Sequence, residues 1–451
     1  MVKALTDMAD DEARRFLKAH PDVESVEYLI TDSNGVVRGK WAPPQSLAKA
    51  ASAGIAMPLS LFGFDVWGRD VPAAGLSFET GDGDGVCRLV PGSIRRVPWA
   101  RRPTAQALVS MHLDAGAPWT LDPRQQLAAA VERLARLGLR AVAAFELEFY
   151  LIDPERQGEA LPVLSGTPGP ERPNTYGLDD LAIYEDLFAD IRAAAAVQGL
   201  PIDTIVSEAA AGQFEVNLRH KPDALGVADD AVMLKRLIVE IARRRGLRAT
   251  FMAKPWIDRP GNGMHVHASL VDRDGVNVFA DPARGTQRLE QAIAGLVDGM
   301  AASTLVFAPT FNAYRRLRPG AHAPTRASWG YNNRTVAIRV PNSEPYARRL
   351  EHRVAGADAN PYLVMAAVLN GMADGLEREA RVQPPVNGDD NVSAIPQLPR
   401  DMASAIATFE TSDFVRRGFG TGWRKVFAAV KRAELAAFLD EITPLERSTY
   451  L

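Results

Sequence analysis

The chain has 451 residues, 47% hydrophobic and 24% charged, with a formal net charge of −3. This predicts a globular protein of roughly two or three domains, while the slight negative balance excludes a general nucleic-acid binder and the lack of any run of about eighteen apolar residues excludes a membrane span. The single cysteine, Cys87, excludes an intrachain disulfide framework, and the acidic amino terminus has no apolar run of the signal-peptide kind, so a reducing compartment, the cytoplasm, is expected.

Residues 12 to 110 read as short strands joined by turns: Val26-Glu-Tyr-Leu-Ile, the turn Asp32-Ser-Asn-Gly, then Val36-Val-Arg-Gly, with a Gly/Asp cluster from Gly81 to Gly85. A strand-like Ala107-Leu-Val-Ser-Met-His-Leu follows, and Asp122 is placed to cap a helix whose first turn carries Pro123. A boundary here gives domains of residues 1–112 and 113–451. The larger part alternates amphipathic helices, predicted over 123–137, 180–198, 229–245, 287–303, 359–378 and 423–440, with strands, which indicates mixed α and β structure. Pro154 to Thr175, rich in Gly and Pro, reads as an exposed loop. The region from Gln383 onward reads as a loop followed by helical pattern and carries no recognisable chemistry.

The first chemical signal along the chain is Ala141-Val-Ala-Ala-Phe-Glu-Leu-Glu-Phe-Tyr. Strand alternation sends Phe145, Leu147 and Phe149 to one face and Glu146 and Glu148 to the other. Like charges so close either mark a solvated face or have cations between them. Glu208 and Glu215 bracket a second such stretch, with Glu215 opposite in sense to Phe214 and Val216. In Gly261-Asn-Gly-Met-His-Val-His-Ala-Ser-Leu, His265, His267 and Ser269 share one strand face after a glycine turn. Buried, satisfied histidines would look the same, but oxygen ligands elsewhere favour a hard metal site suited to Mg²⁺ or Mn²⁺ over structural zinc.

Further on, Arg315 to Arg353 contains nine arginines. Their rigid donor forks match phosphate and carboxylate oxygens, although a solvated basic face is the plain alternative. Arginines with divalent cations imply phosphoryl transfer, yet neither a Walker loop nor a kinase-type glycine loop is present.

Taken in order, Phe145-Glu-Leu-Glu-Phe, Glu208 with Gly212-Gln-Phe-Glu, Gly263-Met-His-Val-His, Asn312-Ala-Tyr-Arg-Arg, Asn333-Arg-Thr-Val-Ala-Ile-Arg and Arg349-Leu-Glu-His-Arg resemble the glutamine synthetase family over nearly the whole chain. The resemblance implies an α+β fold: a small amino-terminal β-grasp domain, signalled by Asp32-Ser-Asn-Gly-Val-Val-Arg-Gly-Lys, and a large catalytic domain built on an antiparallel sheet flanked by helices. It implies ATP as co-substrate and two or more Mg²⁺ or Mn²⁺ ions. Glu148, Glu208 and Glu215 would hold one ion, and Glu146, His265 and Glu351 the second. Gly261, Arg316 and Arg353 would bind glutamate, Arg334 and Arg339 would meet the transferring phosphate, and His267, Ser269 and Arg349, with Arg334, would contact the nucleotide. A homo-oligomer of stacked rings, a dodecamer, is also implied, with each site between the amino-terminal domain of one subunit and the catalytic domain of its neighbour.

The chain departs from the ammonia-using members in two places. His322 stands where they carry a flap glutamate, and Pro260 stands where they have asparagine before the glycine. No tyrosine occurs from residue 363 to 449, which argues against adenylylation control. Ser60-Leu-Phe-Gly-Phe-Asp-Val-Trp-Gly, Gly83-Asp-Gly-Val-Cys-Arg-Leu-Val-Pro-Gly and Phe251-Met-Ala-Lys-Pro look more like the γ-glutamylpolyamine synthetase branch, which joins glutamate to putrescine or similar amines. A primary amine arrives protonated, so a group must accept its proton, and Asp65 and His322 are the candidates. Monoamines such as ethanolamine, methylamine or isopropylamine, then ammonia, are the alternative acceptors; a catalytically inactive scaffold is the alternative of another class.

Overall fold

The computed structural model describes residues 2–114, 116–156, 161–164, 174–281, 285–321, 323–388 and 394–451. Most of the loop expected between Pro154 and Thr175 therefore lies outside the described residues, as does His322.

Among the described residues, two sheets organise the chain. The first has six strands, ordered Val37–Ala42, Ser25–Thr31, Thr104–His112, Asp84–Leu89, Ile55–Pro58, with Arg95–Arg96 also pairing with Thr104–His112. Ser25–Thr31 and Thr104–His112 run parallel at its centre, and the other pairs are antiparallel. The all-strand reading of residues 12 to 110 needs correction, because Val2–Ala19 and Ser46–Ser52 are helices. The first buries Ala9 and Ala13 and packs Phe16 and Leu17 against the core, an amphipathic period at helical spacing that the strand reading passed over.

The second sheet has nine strands. Its path is Trp329–Tyr331, Ile338–Val340, Leu350–His352, Met264–Val271, Arg140–Asp153, Gln213–Leu218, Ile202–Ser207, and Arg248–Thr250 and Leu161–Pro162 pair with the long Arg140–Asp153 strand. All pairs are antiparallel except Trp329–Tyr331 with Ile338–Val340. The six expected helices are present as Pro123–Arg136, Glu185–Gln198, Ala224–Arg244, Gly285–Phe307, Pro361–Glu377 and Thr421–Leu439. The 180–198 expectation is interrupted: Leu178–Ala182 forms a separate short helix, and Tyr184 sits outside both, its ring edge-on to Phe214.

Asp122 ties the two halves together. Its Oδ1 accepts from Arg124 N at 2.8 Å, capping the helix, while Oδ2 accepts from Met111 N at 2.8 Å on the last strand of the first sheet. Among the described residues no helix is long and apolar enough to cross a membrane.

Candidate active site

The register of the second sheet assembles the site. Glu148 is the cross-strand partner of Glu215, and Glu146 is partnered by His265 on one side and Asn217 on the other. His267 lies opposite Glu351, and Glu351 opposite Arg339. Directly opposed residues share a face, so strand alternation puts Glu146, Glu148, Glu215, His265, His267, Glu351 and Arg339 on one side. Phe145, Leu147 and Phe149 are fully buried on the other. Glu208 arrives from just beyond the Ile202–Ser207 strand, where its N–H donates to Gln213 O at 2.9 Å and Gly212 turns the chain at φ 75°.

Among the described residues, three overlapping groups of donors result. Oxygens of Glu148, Glu208 and Glu215 lie within 4.8 Å of one another, as do ligand atoms of Glu146, Glu215 and His265, and of Glu146, His267 and Glu351. His265 Nδ1 is 3.1 Å from Glu146 Oε2 and 3.6 Å from Glu351 Oε1. His267 Nδ1 accepts from Arg349 Nε at 3.2 Å, so its Nε2 carries the hydrogen and donates to Glu146 Oε1 at 2.8 Å. The residue expected at the nucleotide thus also orients a candidate metal ligand.

Charge is unevenly tolerated here. Burial, and then repulsion from neighbouring carboxylates, pushes Glu208 and Glu215 above the ordinary carboxylate range, with Glu148 the main repelling neighbour of Glu208 and Glu146 that of Glu215. Burial also acts on Glu146, but hydrogen bonds from His265 and His267 outweigh it and hold this carboxyl well below its usual range. At Glu351 burial is outweighed by the charges of His265 and Arg353, and the net direction is again down. Three mutually repelling carboxylates beside an imidazole-held pair form a donor set that fits hard divalent cations, which would displace the protons that repulsion otherwise retains.

The cluster opens on a cavity of about 580 Å³ lined by Glu148, Glu208, His265, Gly261, Arg316, Arg334 and Arg353, among others. Seven residues singled out from scattered motifs therefore meet in one space. Arg316 is buried, with Nη1 donating to Val354 O at 2.8 Å. Gly261 and Gly263 make room for it: a Cβ at Gly261 would meet Ala253 O at 2.5 Å and Arg316 Cγ at 3.0 Å, and one at Gly263 would meet Arg316 Nη2 at 2.7 Å. Glu148 Oε2 accepts from Gly263 N at 2.6 Å. Arg334 is exposed, whereas Arg339 and Arg353 both pair with Glu351, Arg339 Nε at 2.8 Å from Oε2. Ser269 continues the same strand face, opposite Val142.

Two other grooves, of about 450 Å³ beside Tyr28, Lys235 and Phe251 and about 1020 Å³ beside Trp99, Arg236 and Arg244, include none of the three donor groups.

Asp65 does not join this cavity within the chain. It is buried; Oδ1 accepts from Trp67 N at 3.0 Å and Arg69 N at 2.9 Å, and Oδ2 from Arg69 Nε at 2.7 Å. A carboxylate so engaged fixes its own loop. Sequence reasoning overlooked Gln213, which lines the cavity and whose Nε2 donates to Gly261 O and Asn262 Oδ1, each at 3.1 Å. The clue was available, since Gln213 alternates onto the face of Glu215. Tyr150, whose hydroxyl donates to Pro260 O at 2.9 Å, gave no such clue.

Residues 120–450 match the family model of the glutamine synthetase catalytic domain. The chain is 40% identical to γ-glutamylputrescine synthetase PuuA of Escherichia coli, covering 96% of this chain and 93% of that one. It is 32% identical to the glutamate–isopropylamine ligase of a Pseudomonas species, covering 98% and 97%. Among solved structures, the GmaS/ADP complex superposes with a TM-score of 0.83 at 30% identity, covering 98% of this chain and 99% of that one.

Proposed function

The chain belongs to the glutamine synthetase family, and from that premise we propose that it joins the γ-carboxyl group of glutamate to an amine in an ATP-dependent reaction, with a polyamine such as putrescine as acceptor. The observation that carries the reaction is the meeting of Glu148, Glu208, His265, Arg316, Arg334 and Arg353 on one cavity. The acceptor is supported by the 40% identity, over nearly full length, to a γ-glutamylputrescine synthetase.

A carboxylate is a poor electrophile. In the first step a γ-carboxylate oxygen of glutamate attacks the terminal phosphorus of ATP, ADP leaves, and γ-glutamyl phosphate forms. In the second, the amine nitrogen attacks the acyl carbon, inorganic phosphate leaves, and the nitrogen gives up a proton. Arg316 and Arg353, with the Gly261 backbone, hold glutamate; Arg334 and Arg339 face the phosphoryl oxygens, where fixed positive charge lowers the barrier. His267, Ser269 and Arg349 contact the nucleotide. Mg²⁺ or Mn²⁺ held by Glu148, Glu208 and Glu215, and by Glu146, His265 and Glu351, would supply further neutralisation of phosphoryl charge. Asp65, presented by a loop bordering a neighbouring subunit's site, and His322 are the candidates for taking the amine proton. We place these activities in a cytoplasmic ring-stacked homo-oligomer, with an amino-terminal domain over residues 1–112 and a catalytic domain over 113–451.

A monoamine acceptor is the second reading, favoured by the full-length similarity to a glutamate–isopropylamine ligase. Phosphate release with ATP, Mg²⁺ and glutamate, compared across putrescine, spermidine, ethanolamine, methylamine, isopropylamine and ammonium, separates the two. The highest kcat/KM with a diamine is the expected result; a preference for ammonium would overturn the proposal.

A further inference from the structure

The helix Thr421–Leu439 buries two charged side chains, Lys431 at 1% exposure and Glu434 at 3%, among Phe427, Val430 and other apolar residues. They sit one turn apart, and Lys431 Nζ donates to Glu434 Oε2 at 2.8 Å. Apolar residues of similar volume would hold a core equally well, so the ion pair is not needed for stability alone. Its remaining bonds all go to one place. Glu434 Oε1 accepts from Val66 N at 2.8 Å, and Lys431 Nζ donates to Asn34 Oδ1. Asn34 in turn donates through Nδ2 to Phe64 O at 3.0 Å, and Ser33 through Oγ to Phe62 O at 3.2 Å. The 64–70 loop, already closed on itself by Asp65 and by the Phe64–Asp70 bridge, is thus gripped from below by a carboxy-terminal helix hundreds of residues away.

The upper side of the loop makes a second connection. Trp67, half exposed, lies under the Arg69 guanidinium at 4.5 Å and 5.6 Å from the ring of Phe438 on the same helix. Phe438 stacks on Phe311 at 5.0 Å, with Arg315 over Phe311 at 4.9 Å. The next residue is Arg316, which lines the catalytic cavity.

We propose that Lys431 and Glu434 are positioning residues that fix the Asp65–Arg69 loop, and with it the amine subsite that Asp65, on the reading above, serves in a neighbouring subunit. The inference rests on the reading of the protein as a glutamate–amine ligase. The double variant Lys431→Met/Glu434→Leu removes the charges together and loses the acceptor for Val66 N, whereas Lys431→Met/Glu434→Gln retains an acceptor there.

Hydrogen exchange of the intact protein and steady-state kinetics on both variants test the idea. In the Leu double variant, exchange at residues 64–70 should quicken by about tenfold or more and the KM for amine should rise by about tenfold, with a smaller change in the KM for glutamate; the Gln double variant should return both toward the parent values. Unchanged exchange in the Leu variant would overturn the clamp. Faster exchange with an unmoved amine KM, or an equal rise for glutamate and amine, would overturn its role in amine binding. Failure of the ligase reading is seen separately, in the parent protein, as the absence of amine-dependent phosphate release, while the exchange result judges the clamp without reference to turnover.

Discussion

Glu148 and Glu215 are register partners on adjacent antiparallel strands, so two carboxylates leave neighbouring Cα positions toward the same side of the sheet, and Glu208 closes a third oxygen donor onto them. With burial and repulsion raising Glu208 and Glu215, the metal-free fold retains protons that the unfolded chain would release. A folded pKa above the unfolded value means stability present at low pH and lost as pH rises from the ordinary carboxylate range toward the raised one. The Tm of chelator-treated protein should therefore fall between about pH 6 and about pH 8, and excess Mg²⁺ should flatten that slope by taking the place of the protons. Calorimetric titration with Mn²⁺ in buffers of different ionisation enthalpy should show proton release on binding. A metal-free Tm indifferent to pH would contradict the repulsion.

The same repulsion predicts opposite effects of Glu215→Gln on stability and on turnover. Glutamine needs no proton to be buried beside Glu146 and Glu148, so the substitution should raise the metal-free Tm at neutral pH by roughly 2–4 °C, while loss of a candidate ligand should lower amine-dependent phosphate release by about a hundredfold or more. Thermal melts with and without Mg²⁺ check the first part, and the gain should vanish when the metal is saturating.

Much of this site was legible because strand alternation is local. Glu146 and Glu148, Glu215 with Gln213, and His265 with His267 each declare a shared face within a few residues. What local pattern cannot state is register: nothing in the stretch around Glu148 says that Glu215 will lie opposite it, or that Arg339 and Arg353 will converge on Glu351. The helix Val2–Ala19 was legible too, since Ala9, Ala13, Phe16 and Leu17 recur at helical spacing among charged residues, whereas the break near Tyr184 was not, because the aromatic contact with Phe214 is tertiary. Lys431 and Glu434 look like an ordinary solvated pair on a helical pattern; only the packed structure shows them buried.

Gly263 offers a test of how closely Arg316, the arginine proposed to bind glutamate, is held. A Cβ there would lie 2.7 Å from Arg316 Nη2 and 3.1 Å from His265 Nε2, so Gly263→Ala must displace one or both. Arg316 cannot move freely, since its other nitrogen donates to Val354 O. The expected outcome is a KM for glutamate raised by about tenfold or more, corresponding to roughly 1.4 kcal/mol of lost binding, with a smaller change in the KM for amine. Initial rates over a matrix of glutamate and putrescine concentrations would measure both.

Cys87 should be inert. Its side chain is fully buried, and burial pushes the thiol up to about 12, so the nucleophilic thiolate is scarce at neutral pH. Native protein should resist iodoacetamide at about pH 8 and be labelled once unfolded in denaturant, as read by intact mass, and Cys87→Ala should retain activity. Rapid labelling of the native protein would show that the Ile55–Pro58 and Asp84–Leu89 strands open more readily than their packing implies.

Asp65→Asn separates two roles for one carboxylate. The oxygen of an asparagine can still accept from Trp67 N and Arg69 N, but its amide group cannot accept from Arg69 Nε as Oδ2 does. The loop should therefore stay ordered, with the Tm altered by no more than about 2 °C. If Asp65 takes the proton of the amine, the variant should lose amine transfer while still forming ADP from ATP and glutamate alone, and the acidic limb of kcat/KM against pH should disappear. If Asp65 serves only as the cap of its loop, that limb should persist and be removed by His322→Asn. An equal loss of amine transfer and of amine-independent ADP formation would exclude proton transfer by Asp65 and leave it acting on the geometry of the whole site.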